Sequence, residues 1–391
     1  MTLHLQSANV LPADAADALL VGRAQVAGLG PVLVRVTPDD VFDISSVAAT
    51  CSELLELRDA PAVIRRAKRV RIGATSDVLA NSAFDARDPA APWFLAPCDL
   101  QAIKAAGVTF VSSMLERVIE EQARGDASRA ESVRKAVVSV IGDDLAAVRP
   151  GSPEAARLKE VLVAQGVWSQ YLEVGIGPDA EIFTKSQPMS AVGTGAEIGI
   201  HPGSSWNNPE PEIVLAVNSR GDVMGATLGN DVNLRDFEGR SALLLGKAKD
   251  NNASCAIGPF IRLFDAKFGI DDVRSCDLAM RVEGADGFVM DGSSSISKIS
   301  RDPLDLVSQA INSNHQYPDG FMLFLGTMFA PTQDRFGPGM GFTHAVGDVV
   351  NIFTARIGTL GNRVNTSDKV APWTQGVGAL MRDLARRGLP G

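Results

Sequence analysis

The chain has 391 residues, of which 45% are hydrophobic and 21% charged, a composition typical of a globular protein with two domains or one large one. Its 37 basic and 46 acidic residues give a formal net charge of −9, so we expect no nucleic-acid partner. The sequence has neither a run of about 18 apolar residues nor an N-terminal signal peptide, and we expect a cytoplasmic protein without membrane contact.

Residues 1–90 are predicted to form a small N-terminal α/β domain. Within it, Val32–Val36 is typical of a strand, and Asp43–Leu57 is typical of a helix with Asp43 as its N-cap. The two prolines of Ala86–Pro92 break regular structure. They indicate a boundary, after which residues 91–391 are predicted to form the catalytic domain.

The catalytic domain is predicted to begin with helices and to continue as strands. A helical segment is expected at about residues 113–170, with one helix starting at Ser152 as N-cap and Pro153 in the first turn. From Gly175 onward, short apolar runs alternate with turn residues, which favours a mostly β domain. The clearest strands are Ile213–Val217, Ala279–Val282, Phe321–Leu325 and Val349–Thr354.

The cysteines and histidines are too scattered to form a local metal motif. No pair of cysteines has C-x-x-C spacing, which disfavours a zinc site. Scattered cysteines are typical of buried thiols in a reducing cytoplasm, and we expect this of Cys51, Cys98, Cys255 and Cys276.

Three carboxylates form the most informative pattern. Glu210 and Glu212 flank a proline at the start of an apolar run, and alternate side chains of a strand project from the same face. Asp231 follows after a turn at Ser219–Asp222. Unit charges ~4 Å apart repel by about 4 kcal/mol at an effective dielectric of about 20, so convergence would imply a cation. Oxygen donors suit Mg²⁺, Mn²⁺ or Ca²⁺ rather than zinc.

An ordered set of short motifs accompanies the acidic pair. The motifs are Glu210-Pro211-Glu212, Gly229-Asn230-Asp231, Gly246-Lys247, Ile257-Gly258-Pro259, Leu325-Gly326-Thr327 and Gly347-Asp348. In order and spacing, they resemble those of the fumarylacetoacetate hydrolase superfamily over roughly residues 95–365. The resemblance implies an α+β fold with a mixed β-roll as catalytic domain, assembled as a homodimer or homotetramer.

The resemblance also implies roles for individual residues. Glu210, Glu212 and Asp231 match the family's ligands for Mg²⁺, with Mn²⁺ as the other candidate metal. Lys247 matches the family's catalytic lysine. The positions that match substrate-binding residues are Lys185, Thr327 and Arg235.

One departure from the hydrolase pattern points to a different reaction. Hydrolases of the family activate water with a histidine–glutamate pair after the first catalytic strand, but residues 108–117 contain no histidine. They contain Glu116, a pattern similar to the branch that dehydrates 2-keto-3-deoxy sugar acids. In such a reaction the metal stabilises an enolate, Glu116 is the candidate base for the C3 proton, and Lys247 offsets negative charge. We therefore expect a Mg²⁺-dependent lyase that dehydrates a pentonate, such as 2-keto-3-deoxy-arabinonate, to a 2,5-dioxo acid.

Other interpretations of the same residues stay open. Lysines and glutamates mostly face solvent, so the acidic pair, Glu116 and Lys247 are each compatible with an ordinary protein surface. In the same fold, the alternative enzymes are a C–C bond hydrolase of a 2,4-diketo-3-deoxy acid and a 2-oxo acid decarboxylase. A metal-binding relic that serves as an oligomeric scaffold is the non-enzymatic alternative.

Overall fold

The computed structural model describes residues 3–132, 134, 148–164, 166, 168–329 and 331–389. The predicted helical content of residues 135–147 lies outside the described residues. The described helices, numbered in chain order, are α1 (Ser7–Val10), α2 (Cys51–Glu56), α3 (Ala60–Arg66), α4 (Thr75–Ser82), α5 (Val111–Ala123), α6 (Pro153–Ala164), α7 (Gln170–Ile176), α8 (Arg235–Glu238), α9 (Leu245–Lys249), α10 (Ile270–Arg274), α11 (Pro303–Ala310) and α12 (Val377–Arg386).

Strands provide the framework on which the helices pack. They are β1 (Leu20–Val26), β2 (Gly30–Val36), β3 (Asp40–Asp43), β4 (Val70–Ala74), β5 (Trp93–Leu95), β6 (Ala102–Gly107), β7 (Glu181–Ser186), β8 (Glu197–Ile200), β9 (Asn207–Asn208), β10 (Pro211–Val217), β11 (Val223–Asp231), β12 (Asn233–Leu234), β13 (Cys255–Leu263), β14 (Asp277–Glu283), β15 (Val289–Ser295), β16 (Phe321–Phe324), β17 (Val349–Thr354) and β18 (Gly358–Thr366). The four strands that the sequence predicted most clearly are confirmed as β10, β14, β16 and β17.

Two large sheets organise the molecule. The larger, of 11 strands, has the order β4-β3-β2-β1-β13-β11-β10-β16-β6-β7, with β5 paired to β1. The smaller has the order β15-β14-β17-β18-β8, and β9 pairs separately with β12. The mixed α+β class predicted from the sequence is confirmed.

Strand β10 is buried on both faces at the centre of the larger sheet. Ile213 and Leu215 contribute to a core that includes Met280 of the smaller sheet. Their neighbours Val214 and Ala216 point into a second core, which lies against α2 and α3. Burial on both faces explains why this strand is a continuous apolar run in the sequence. It also fixes the backbone that carries Glu210 and Glu212.

The prediction of a helix over Asp43–Leu57 is wrong in where the helix begins. Asp43 is the last residue of β3, and its Oδ1 accepts a hydrogen bond of 2.7 Å from the Ser45 N–H. The helix begins only at Cys51, where Thr50 Oγ1 caps the Glu53 N–H at 3.0 Å. A short aspartate side chain can close a local turn as readily as it can cap a helix, and Asp43 closes a turn here. The N-cap predicted at Ser152 is confirmed, because its Oγ accepts from the Ala155 N–H at 3.1 Å.

The N-terminal residues share the larger sheet with the rest of the chain. Strand β1 pairs with β13, with Leu20 opposite Arg262, so hydrogen bonds cross the predicted boundary near residue 90. The division into two domains stays a prediction. All four cysteines are buried free thiols, as predicted. None of the helices in the described part of the chain has the length and apolar character needed to cross a bilayer.

Candidate metal and active site

The hairpin of β10 and β11 brings three carboxylates together. Glu210 immediately precedes β10, Glu212 is its second residue, and Asp231 ends β11. The Asp231 N–H donates to the Glu210 carbonyl at 3.0 Å, which fixes the register of the two strands at this point. One oxygen from each carboxylate lies within 4.8 Å of the others, and all three residues are buried. The structure thus brings together the three residues that the sequence singled out.

Lysines hold two of these carboxylates. The Lys249 ammonium donates to Glu210 and to Asp231 Oδ2, the latter at 3.2 Å. The Lys185 ammonium lies 2.9 Å from Asp231 Oδ1 and donates to the carbonyls of Val232 and Lys249. Both lysines are buried. The two carbonyl contacts hold the Lys185 ammonium in place, so its charge stays beside Asp231 Oδ1.

The two glutamates of the acidic pair lie in opposite electrostatic environments. Burial by itself would raise the pKa of Glu210, but the charges of Arg117 and Lys249 outweigh it and hold that pKa at about 2. Burial, followed by the charges of Asp231 and Glu210, raises the pKa of Glu212 well above its usual value. Glu212 accepts hydrogen bonds from the Gly326 N–H at 2.7 Å and from Thr327 Oγ1 at 3.4 Å. Three converging carboxylate oxygens, one of them short of positive partners, fit a hard divalent cation.

A network of ion pairs joins this cluster to helix α5. Arg117, on α5, donates to Glu210 through Nη2, and its Nη1 lies 2.7 Å from Glu120 and 2.9 Å from Glu238. Glu120 in turn accepts from Arg235 Nε at 2.6 Å. All five side chains are buried. The network therefore runs from a carboxylate of the cluster, across α5, to the start of α8.

Glu181 faces the cluster from β7. Together with the three carboxylates, Arg117 and Lys249, it lines a cavity of about 20 Å³. Burial, followed by the charge of Glu238, raises the pKa of Glu181 from its usual 4.5 to about 7. A Cβ atom on Gly107 would lie 1.9 Å from Glu181 Oε2, so any larger residue there would displace this carboxylate from its present position. A carboxyl group that changes its protonation state near neutral pH, in a cavity beside a cation site, is suited to move protons.

The order of these elements matches that of a known protein family. The model of the fumarylacetoacetate hydrolase C-terminal domain matches residues 171–365, which include the three clustered carboxylates and both buried lysines. Residues 171–365 are a fumarylacetoacetate hydrolase domain. The resemblance inferred from the motifs is thereby confirmed.

Two curated proteins similar to this chain are dehydratases. The first is a probable 2-keto-3-deoxyxylonate dehydratase of Haloferax volcanii, 32% identical over 196 residues, which are 50% of this chain and 64% of the relative. The second is the 2-dehydro-3-deoxy-D-arabinonate dehydratase of Saccharolobus solfataricus, 32% identical over 190 residues, which are 49% of this chain and 60% of the relative. The chain thus spans less than two thirds of the length of these curated relatives.

Solved structures share the fold over most of the chain. A 2-keto-3-deoxy-D-arabinonate dehydratase in its apo form superposes with a TM-score of 0.61 at 21% identity, covering 89% of this chain and 99% of that one. The same kind of enzyme complexed with magnesium and 2,5-dioxopentanoate superposes with a TM-score of 0.58 at 19% identity, with the same coverage. At these identities the likeness establishes the fold alone.

Lys249, rather than the predicted Lys247, contacts the clustered carboxylates. Lys247 is exposed, and its ammonium lies 5.4 Å from the centre of the Phe237 ring. The two lysines stand two positions apart in α9, so they point to nearly opposite sides of the helix. The motif alone gives no sign of which lysine faces inward.

Glu116 also lies apart from the carboxylates. Its side chain is 14% exposed, and it accepts hydrogen bonds from Arg134 at 2.7 Å and from Arg235 at 3.0 Å. It does not line the small cavity, whereas its neighbour Arg117 does. Of the predicted substrate-binding residues, Thr327 lines that cavity. Lys185 does not line it but contacts Asp231, which does. Arg235 lines a separate cavity of about 370 Å³.

Sequence reasoning missed Arg117, Glu181 and Lys249. Lys249 lies two residues after Lys247 of the recognised Gly246-Lys247 motif, and Arg117 follows Glu116 directly. Their partner Glu210 is 93 residues from Arg117 and 39 from Lys249. Without the fold, no spacing rule connects such distant residues. For Glu181, the closest signal is its position four residues before the recognised Lys185.

Proposed function

We propose that the protein is a Mg²⁺-dependent dehydratase of a 2-keto-3-deoxy sugar acid, most simply a 2-keto-3-deoxypentonate such as 2-keto-3-deoxy-arabinonate. The product would be a 2,5-dioxo acid plus water. The observation that carries the proposal is the buried trio of Glu210, Glu212 and Asp231 in one cavity with Lys249 and Glu181. The names of the two curated relatives support the same reaction class.

The trio would hold the metal. A bound Mg²⁺ would supply Lewis-acid polarisation of the 2-oxo group, which acidifies the neighbouring C3 protons. Lys185 would keep Asp231 in its orientation, 2.9 Å away. Lys249, between Glu210 and Asp231, would add positive charge where the substrate carboxylate and the developing enolate lie. Thr327, beside Glu212, is the proposed hydroxyl donor to the substrate.

Glu181 would move the protons in place of the predicted base, Glu116. Ionised, it would take a proton from C3 while a C3–C4 double bond forms and the C4–O bond breaks. It would return that proton to the departing hydroxyl group, and water leaves. For a pentonate, the unsaturated acid formed by loss of water would then isomerise. One proton would move from C5 to C3, and the proton of the C5 hydroxyl group would move to C4, which gives the 2,5-dioxo acid. A pKa of about 7 suits a group that must accept and donate in one cycle.

A panel of sugar-derived 2-oxo acids with Mg²⁺ tests the proposal. The products are analysed by mass, with parallel reactions in excess EDTA. We expect loss of one water from a 2-keto-3-deoxypentonate, no reaction in EDTA, and recovery on adding Mg²⁺ or Mn²⁺. Fragmentation to pyruvate would favour the C–C hydrolase, and release of carbon dioxide the decarboxylase. Full activity in chelated protein would overturn the metal requirement.

We also propose that the protein works as a cytoplasmic homodimer or homotetramer. Support comes from the family resemblance and from the buried free cysteines, which are compatible with a reducing compartment. Light scattering at micromolar concentration tests the assembly. A monomer mass would contradict it.

A further inference from the structure

Among the described residues of helix α5, Arg117 is the one that lines the small cavity and contacts a proposed metal ligand. Its guanidinium is shared by three carboxylates, with Nη2 on Glu210 and Nη1 between Glu120 and Glu238. The Glu210 oxygen that it occupies belongs to a proposed metal ligand. Arg117 is thus held by Glu210 on one side and by two other carboxylates on the other.

The space beside the carboxylates is too small for the proposed substrate. A cavity of about 20 Å³ has room for about one water molecule, whereas a five-carbon acid is several times larger. The larger cavity of about 370 Å³ is lined by Arg235 and Trp206. Glu120 of α5 joins Arg235, in the lining of the large cavity, to Arg117, in the lining of the small one. To admit the substrate, the lining of the small cavity, which includes Arg117, has to move.

We propose that Arg117 makes the position of helix α5 depend on metal binding, a step that rests on the proposed metal site. A divalent cation bound by Glu210, Glu212 and Asp231 competes with the guanidinium for Glu210 and repels it at short range. Glu120 and Glu238 already contact the other side of the guanidinium, so Arg117 keeps two partners when it releases Glu210. Helix α5 then loses its ion pair with Glu210 and shifts to make room for the substrate. Arg117 is a positioning residue in this scheme.

Hydrogen exchange of the wild-type protein with and without Mg²⁺ gives the first test. A bound ligand ordinarily slows exchange, and we expect slower exchange in β10 and β11. In α5 we expect the opposite, faster exchange when Mg²⁺ is added, because the contact of Arg117 with Glu210 is lost. Helix α12, whose Leu380 and Leu384 belong to a separate hydrophobic cluster, serves as the internal control. Slower or unchanged exchange in α5 would overturn the proposal.

Calorimetric titration of variants with Mg²⁺ gives the second test. Arg117→Gln removes one of the two cations that contact Glu210, the other being Lys249, so we expect Mg²⁺ to bind about tenfold more tightly. Arg134→Gln removes the same charge from a residue bonded to Glu116 and Glu131, and its affinity should match the wild type. If Arg117 only supported the structure, its loss would weaken or leave unchanged Mg²⁺ binding, and that result would overturn the proposal. Failure of the wild type to bind Mg²⁺ would overturn the proposed metal site as well, whereas binding without any response in α5 would overturn this inference alone.

Discussion

The two sides of the candidate site are built on different principles. On one side, Glu210, Glu212 and Asp231 stand on neighbouring strands of a sheet buried on both faces, and backbone hydrogen bonds fix their register. On the other side, Arg117 stands on α5, and what holds it to the site is a set of ion pairs. An added cation does not change the backbone hydrogen bonds between strands, whereas it competes with an arginine for the carboxylate of an ion pair. The sheet side is therefore suited to bind the metal, and the helix side to respond to it.

The largest expected effect comes from changing the sheet side. Glu212→Gln should weaken Mg²⁺ binding by more than about 100-fold, because even residues behind a metal ligand typically contribute 10–100-fold. The fold should persist, since glutamine keeps an oxygen for the Gly326 N–H and the change removes a carboxyl whose pKa burial has raised. Titration calorimetry measures the affinity, and circular dichroism the fold.

Glu283→Gln is the matched control for that variant. Glu283 lies in β14 of the smaller sheet and pairs with Arg281 at 3.2 Å, away from the carboxylate cluster. Its Mg²⁺ affinity should equal that of the wild type. Normal Mg²⁺ binding by Glu212→Gln would mean that the sheet side does not bind the metal.

Glu181→Gln should give the next largest loss, in turnover rather than in binding. General acid–base groups typically contribute about 10²–10⁴-fold, and glutamine cannot accept the C3 proton. We expect kcat to fall within that range while the Kd for Mg²⁺ stays within a few-fold of the wild type. Steady-state kinetics and calorimetry on the same preparation separate the two. A variant with near-normal turnover would exclude Glu181 as the proton carrier.

The raised pKa of Glu181 also predicts a difference in stability with pH. The folded protein keeps the Glu181 proton up to about pH 7, whereas the unfolded chain loses it at the usual 4.5. The resulting stabilisation is complete below the lower value and is lost as pH rises through the higher one. Between pH 4.5 and 8, the metal-free wild type should therefore lose about 2–3 kcal/mol of stability relative to Glu181→Gln. Denaturant unfolding at several pH values measures it, and parallel curves would contradict the assignment.

The sheet side could be predicted from the sequence, and the helix side could not. The spacing of Glu210 and Glu212 and the turn before Asp231 are local patterns with a fixed geometric meaning in strands. On the helix side, Glu116 and Arg117 are adjacent in the sequence, but only the fold shows that Arg117 contacts Glu210. The predicted helix at Asp43–Leu57 failed for a related reason, because the sequence alone does not decide between a capping and a turn-closing aspartate.

Replacing each of the two lysines of α9 in turn tests which of them acts in the reaction. Lys249→Met should lower kcat/KM by about 10²-fold, in the range seen when one charge-stabilising donor is removed, because its ammonium bridges Glu210 and Asp231. Lys247→Met is the matched control and should leave kcat/KM unchanged, since Lys247 is exposed. Steady-state kinetics compare the two variants. The reverse order of effects would restore Lys247 as the catalytic lysine.

The smallest effect is expected from Glu116→Gln, the variant that tests the base predicted from the sequence. Glu116 joins Arg134 and Arg235, so the change leaves two arginines with a neutral partner at one end of the network. We expect turnover to fall less than about tenfold, below the usual range for loss of a general base, with a destabilisation of about 1–2 kcal/mol. Deuterium exchange at C3 of a pyruvate-like analogue in heavy water separates the roles, because it should persist in Glu116→Gln and vanish in Glu181→Gln. If it vanished in Glu116→Gln instead, the base would be Glu116 on helix α5 and not Glu181 on strand β7.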